Sequence, residues 1–170
     1  MNLDGAEVLP VQGLEQKAVD RWIYHRLNEA AGRVREAMTS YRFNDASSAI
    51  YEFFWNDFCD WYIEASKAAL YSEDAGERNR GITHLLYVLE ASLRLMHPFV
   101  SFVSEEIYQK LPQLPDAPGS DSIIVAPFPE VEPARVDQET AAAFGSLQEL
   151  VRLVRTVRSE FTIPPGKKIQ

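Results

Sequence analysis

The 170-residue chain carries 25 acidic against 17 basic residues, a formal net charge of −8, and a single cysteine, Cys59. That charge argues against a bulk-basicity grip on nucleic acid; the lone cysteine excludes an internal disulfide and suits a reducing, cytoplasmic setting. No apolar run reaches the roughly 20 residues that span a bilayer, so no membrane partner is expected.

Residues 1–13 hold Gly5, Pro10 and Gly13 and read as a lead-in segment without signal-peptide character. From Leu14 to Tyr41 the apolar positions Ala18, Trp22, Leu27, Ala31, Val34 and Met38 follow helical spacing. Arg42 and Phe43 predict a corner, with Asn44 or Asp45 capping a second helix to about Leu70. Ser72 or Asp74 opens a third helix with Ile82, Leu85, Leu86, Leu89, Leu93 and Met96 on one face. His97-Pro98 breaks it, because proline removes a backbone donor, and a short fourth helix runs from Phe99 to Leu111. Residues 112–139 contain Pro112, Pro115, Pro118, Gly119, Pro127, Pro129 and Pro133, a long crossover in which residues 122–126 predict one short extended segment. A last helix over 138–161 is expected to turn Phe144, Leu147, Val151, Val154 and Phe161 inward. The pattern predicts an all-α fold: an antiparallel bundle of about five helices over 14–161 with one Pro-rich crossover. Residues 162–170 begin a connection onward.

The stretch YEFFWNDFCDWY (51–62) holds seven aromatics. At about 100° per residue, Tyr51, Phe54, Trp55, Phe58 and Trp61 fall on the apolar arc, Tyr62 on its edge, and Phe53 among the acids. The outer face then carries Glu52, Asp57, Asp60 and Glu64. Stacking platforms for single strands need basic surroundings, so the wheel gives this block a structural role. Asp57, Asp60 and Glu64 are spaced to share a helix face, which ordinarily means a solvated one.

Catalytic signals are sparse. His25, His84 and His97 form no HExxH or Cys/His pattern, PPGKK lacks the frame of a phosphate loop, and no G-x-S-x-G occurs. No catalytic or metal site is assigned. Basic residues gather instead in two stretches: Arg21, Arg26, Arg33, Arg35 and Arg42, and then Arg152, Arg155, Arg158, Lys167 and Lys168. Such patches on an acidic body suit a selective polyanion contact, or solvated helix faces.

DRWIYHRLN (20–28), YRFNDASSAIYEFFWNDFCDWYIEASK (41–67), LRLMHPFVSFVSEEIYQKLP (93–112), SIIVAPFPE (122–130) and LVRLVRTVRSEFTIPPGKK (150–168) occur in this order. Together they resemble the anticodon-binding helical domain of valyl-tRNA synthetases, class I aminoacyl-tRNA synthetases, with FCDWYIE and IPPGKK the most specific pieces. The corresponding domains of isoleucyl- and leucyl-tRNA synthetases share the bundle, and a protein-interaction bundle without RNA is the rival from another class. The resemblance implies a non-catalytic module that positions tRNA(Val). ATP and Mg²⁺ would serve a catalytic domain of the same polypeptide, whose HIGH-type and KMSKS-type motifs are absent from this sequence. It further implies a cytoplasmic, monomeric parent enzyme in which Met1 is an internal residue. An upstream helix that helps to hold the anticodon is expected to be missing. Trp22 is the stacking candidate, with Arg21, His25 and Arg26 for phosphates or base edges. Arg33, Arg42 and Asn44 are second choices, and Arg152, Arg155 and Arg158 candidates for the RNA backbone.

Overall fold

A computed structural model describes residues 6–116, 120–164 and 166–167. The first five residues of the lead-in, Pro118 and Gly119 of the crossover, and Pro165 and Lys168 to Gln170 lie outside the described residues.

Helix α1 spans Ala18–Thr39. Asp20, in its first turn, accepts a hydrogen bond from the Lys17 amide at 2.9 Å, which satisfies a donor that the helix itself leaves unpaired. The helix closes in a Schellman motif: the Arg42 amide donates to Ala37 O at 2.8 Å and the Tyr41 amide to Met38 O at 3.1 Å. Tyr41 therefore adopts φ 56°, a conformation that glycine takes without strain. The next helix starts at Phe43, with Arg42 as its N-cap and no side-chain cap bond. The expectation of an Asn44 or Asp45 cap is thus corrected, because the Schellman turn feeds the chain into the helix one residue earlier. Asp45 instead accepts from Arg42 Nη1 at 3.0 Å.

Helix α2 is continuous in three parts: Phe43–Tyr51 in α geometry, Glu52–Tyr62 in π geometry and Ile63–Leu70 in α geometry. In a π segment the bonds run i→i+5, so the inward positions recur every four to five residues. Phe53, Asp57, Phe58, Tyr62 and Ser66 are the buried ones. This corrects the aromatic wheel: Phe53 is 3% exposed, whereas Tyr51 is 61% and Trp55 51% exposed. Phe54 and Trp61 are partly buried against the core. The Tyr62 hydroxyl finds the polar partner its edge position called for, donating to Asp20 Oδ1 at 2.8 Å.

Helix α3, Ala75–Met96, is capped by Asp74, whose carboxylate accepts from the Glu77 amide at 2.7 Å. It runs through the centre of the bundle and is buried on several sides, from Ile82, Leu86 and Val88 to Thr83, His84 and Ser92. Gly81 lets it approach α2: a Cβ there would stand 2.9 Å from the Ala69 Cβ. The helix ends ahead of His97-Pro98, and α4, Ser101–Tyr108, follows.

Residues 122–126 form a 3₁₀ turn at Ile123–Val125 rather than an extended segment, because the Ser122 side chain caps the Ile124 amide and only Ile123 is buried. Further along, side chains of α1 and α3 hold the crossover by its backbone. Asn28 donates to Glu132 O at 2.7 Å and accepts from the Glu132 amide at 3.0 Å. Arg94 donates to Pro127 O at 2.8 Å. The Arg135 guanidinium lies 4.5 Å from the Tyr24 ring centroid and 4.6 Å from that of Tyr87, a cation–π contact with each of two rings that meet edge-on at 5.1 Å.

Helix α5, Gln138–Glu160, then lies across α1 and contains no fully buried residue. Thr140, Ala141, Phe144, Gln148 and Val151 form its inner line. Leu147, Val154 and Phe161 are exposed, contrary to the expected inward face. The helix is turned so that Phe144 stacks on Trp22 at 3.9 Å and meets the Trp61 ring edge-on at 6.1 Å.

Candidate RNA-binding surface

The structure brings part of the two basic stretches together. A groove of about 360 Å³ lies between the first half of α1, the π segment of α2 and α5. Trp22 and His25 line it from α1, together with Arg26 and Glu29, and Arg152 lines it from α5. Candidates some 125 residues apart in sequence thus share one concave surface. The signal for that meeting was the basic spacing in both stretches; which faces would meet depended on the rotation of α5.

Trp22 is 2% exposed and stacked on Phe144, so its ring floors the groove and holds α5, with no free face for a base. His25 is 2% exposed, and its Nδ1 accepts from the Asp137 amide at 3.1 Å. The imidazole proton therefore sits on Nε2, which faces Glu29 at 3.6 Å. Asp137 also accepts from the Thr140 amide at 2.9 Å and from Arg21 Nε at 3.1 Å. Its carboxyl is held below the ordinary carboxylate range, chiefly by the Thr140 amide. Arg21, His25 and Asp137 together pin the start of α5 to α1.

Arg26 Nε donates to Asp57 Oδ2 at 2.9 Å and also pairs with Glu29. Burial pushes the Asp57 carboxyl upward, against the opposing effect of Arg26. The π geometry turns Asp57 inward, so Asp57 does not share a solvated face with Asp60 and Glu64, which are exposed. Arg33 pairs with Glu52 at 2.9 Å, and Arg42 with Glu36 at 2.9 Å and Asp45 at 3.0 Å. Arg42 and Asn44 sit at the α1–α2 corner, outside the groove, and both are exposed. Arg155 lies 5.9 Å from the Trp61 ring centroid, and Arg158 donates to Lys167 O at 2.9 Å near the end of α5. Arg152 is exposed and makes no ion pair with any described residue.

Sequence reasoning missed three polar groove residues: Asn56, Gln138 and Gln148. Uncharged amides carry no compositional signal, and the π register that aims Asn56 into the groove has no clear sequence mark. Among the described residues no helix is long and apolar enough to cross a membrane.

Residues 20–170 match the family described as the anticodon-binding domain of tRNA ligase. A valine–tRNA ligase of Treponema pallidum (strain Nichols) is 45% identical over 175 residues, covering 99% of this chain and 18% of the relative. One from Thermotoga maritima is 45% identical over 170 residues, covering 100% and 18%. One from Bacillus subtilis is 41% identical over 172 residues, covering 100% and 19%. The chain thus spans about a fifth of the length of these relatives. By this match over nearly its whole length, and by its all-helical bundle, the chain belongs to the anticodon-binding domain family of tRNA ligases.

Proposed function

We propose that this chain acts as the anticodon-binding module of a valine–tRNA ligase, holding the anticodon arm of tRNA(Val) while chemistry takes place elsewhere. The observation that carries this reading is the convergence of Arg26 and Arg152 on one groove within a chain whose relatives are valine–tRNA ligases. Two guanidiniums from different helices suit a folded RNA arm better than a single linear stripe does, because the arm presents phosphates and splayed bases side by side. Arg33, Arg155 and Arg158, and Arg42 and Asn44 at the α1–α2 corner, serve outside the groove as backbone contacts. Arg21, Trp22 and His25 serve the same surface indirectly, by fixing α5 against α1. ATP and Mg²⁺ belong, in this reading, to a catalytic part of the same polypeptide outside this chain, in a cytoplasmic monomeric enzyme.

The acidic body makes the contact selective. With net charge −8, RNA away from the basic surface is repelled, so affinity rests on the arginine contacts and falls with salt in proportion to their number. Ribonuclease footprinting of a valine tRNA transcript tests the reading. Protection confined to the anticodon arm is expected; protection of the acceptor arm alone, or of nothing at all, would overturn it.

A further inference from the structure

One flank of α5 is apolar and exposed. Leu147, Leu150, Leu153, Val154, Val157 and Phe161 are each between 48% and 71% exposed. At about 100° per residue they form a stripe about 120° wide, the width of a face that packs on a core rather than of a narrow coiled-coil seam. On the same wheel Gln138, Gly145 and Arg152, which line the groove, fall on the opposite flank. The stripe is therefore separate from the candidate RNA surface. A contiguous row of large apolar side chains also differs from the scattered ones that need no partner.

The backbone that follows α5 turns back on the side of this stripe. Like α1, α5 ends in a Schellman motif: the Ile163 amide donates to Arg158 O at 2.8 Å and the Thr162 amide to Ser159 O at 3.0 Å. Thr162 accordingly has φ 53°. A further turn closes with the Lys167 amide on Pro164 O at 3.0 Å. The Arg158 guanidinium donates to Pro164 O and, at 2.9 Å, to Lys167 O. Residues 164 and 167 thus lie back beside the last turns of α5 instead of running on beyond Phe161. Arg158 falls at the margin of the stripe, away from the groove flank. The lead-in is directed elsewhere, along α3, where the Leu9 amide donates to Thr83 Oγ1 at 3.0 Å.

Resting on the reading of the chain as one module of a longer ligase, we propose that the stripe seats the polypeptide that follows Lys167. That segment runs back along α5 in extended form and lays alternate apolar side chains on it. From Phe161 to Leu147 the stripe is about 21 Å long, which about six extended residues span. Ile169 is the first apolar residue of the sequence after the turn. The chain spans about a fifth of the length of its relatives, which leaves length for such a segment. Covered on this flank and stacked on Trp22 through Phe144, α5 is held from two sides, and Arg152 keeps its place on the groove.

The test is maleimide labelling without RNA in a Cys59→Ser background. Leu150→Cys and Val157→Cys report the stripe, and Thr156→Cys, exposed on the other flank of α5, is the reference. Each is placed in this chain and in the full-length polypeptide. In this chain the three cysteines are expected to label within about threefold of one another. In the full-length polypeptide the two stripe cysteines should slow by at least about tenfold relative to the reference, and a stop after Lys167 should restore their rates. Stripe cysteines that label as fast as the reference in the full-length polypeptide overturn the proposal. Protection that survives the stop overturns it in favour of a preceding part of the polypeptide. Protection already present in this chain and rising with its concentration overturns it in favour of a second copy. Footprinting of the tRNA transcript is read separately, so each of these failures leaves the anticodon-module reading standing.

Discussion

Phe53 and Trp55 exchange places between an α and a π register, and that exchange can be measured. In α geometry Phe53 would sit among the acids and Trp55 on the apolar arc. In the structure Phe53 is 3% exposed and Trp55 51% exposed. Phe53→Ala removes a fully packed ring from between α1 and α2, and such truncations cost about 3–5 kcal/mol. For a domain of this size each kcal/mol moves the melting temperature by about 2–4 °C, so a fall of roughly 10 °C is expected. Trp55→Ala deletes a side chain that already faces solvent over half its surface, and a cost of about 1 kcal/mol or less follows. Thermal and urea unfolding followed by far-ultraviolet circular dichroism would read both, with equal urea slopes confirming that only native stability has moved. Phe53→Ala melting like the parent while Trp55→Ala loses about 10 °C would refute the π register, and with it the inward placement of Asp57.

Other consequences follow from the same packing. Gly81→Ala should destabilise by about 1–3 kcal/mol in chemical denaturation, although alanine favours helices, because its Cβ would lie 2.9 Å from that of Ala69. Asp137→Ala removes the cap of α5 and should cost about 1 kcal/mol, read as faster amide exchange confined to the first turns of that helix. Arg135→Ala removes the crossover's cation–π contact with the Tyr24 and Tyr87 rings, and limited proteolysis should then cut within residues 127–137 before the helices. Glu105, lowered by its hydrogen bond from Gln109, and Asp137, lowered by the Thr140 amide, add stability at neutral pH that disappears as pH falls through their depressed values. Urea midpoints should therefore drop below about pH 4, less steeply in Asp137→Asn; a midpoint that rises with acid would contradict the assignment.

The helices were legible because each of the five begins or ends at a local signal: the Asp74 cap, the break at His97-Pro98, the corner at Arg42, and the proline-rich run before Gln138. Which faces they bury was less legible. α3 lies at the centre, so its buried set exceeds the one stripe that periodicity marked. The π segment changes the period itself, and nothing in the residue types announces an i→i+5 bond. α5 carries an apolar stripe, but the Trp22–Phe144 stack and the Asp137 knot turn the mixed line of Thr140, Ala141, Phe144, Gln148 and Val151 inward and leave Leu147 and Val154 exposed. At the candidate site the basic residues were visible in the sequence, while their pairing with acids was not: Arg26, Arg33 and Arg42 all meet carboxylates in the fold. Arg152, read beforehand only as part of a stripe, emerges as the groove cation without an ion pair among the described residues.

The most direct test of the account is equilibrium binding of the chain to a valine tRNA transcript and to the same transcript with its anticodon exchanged, at physiological salt. The account predicts at least about tenfold weaker binding of the exchanged transcript, equivalent to roughly 1.4 kcal/mol. Equal affinity for the two would contradict it.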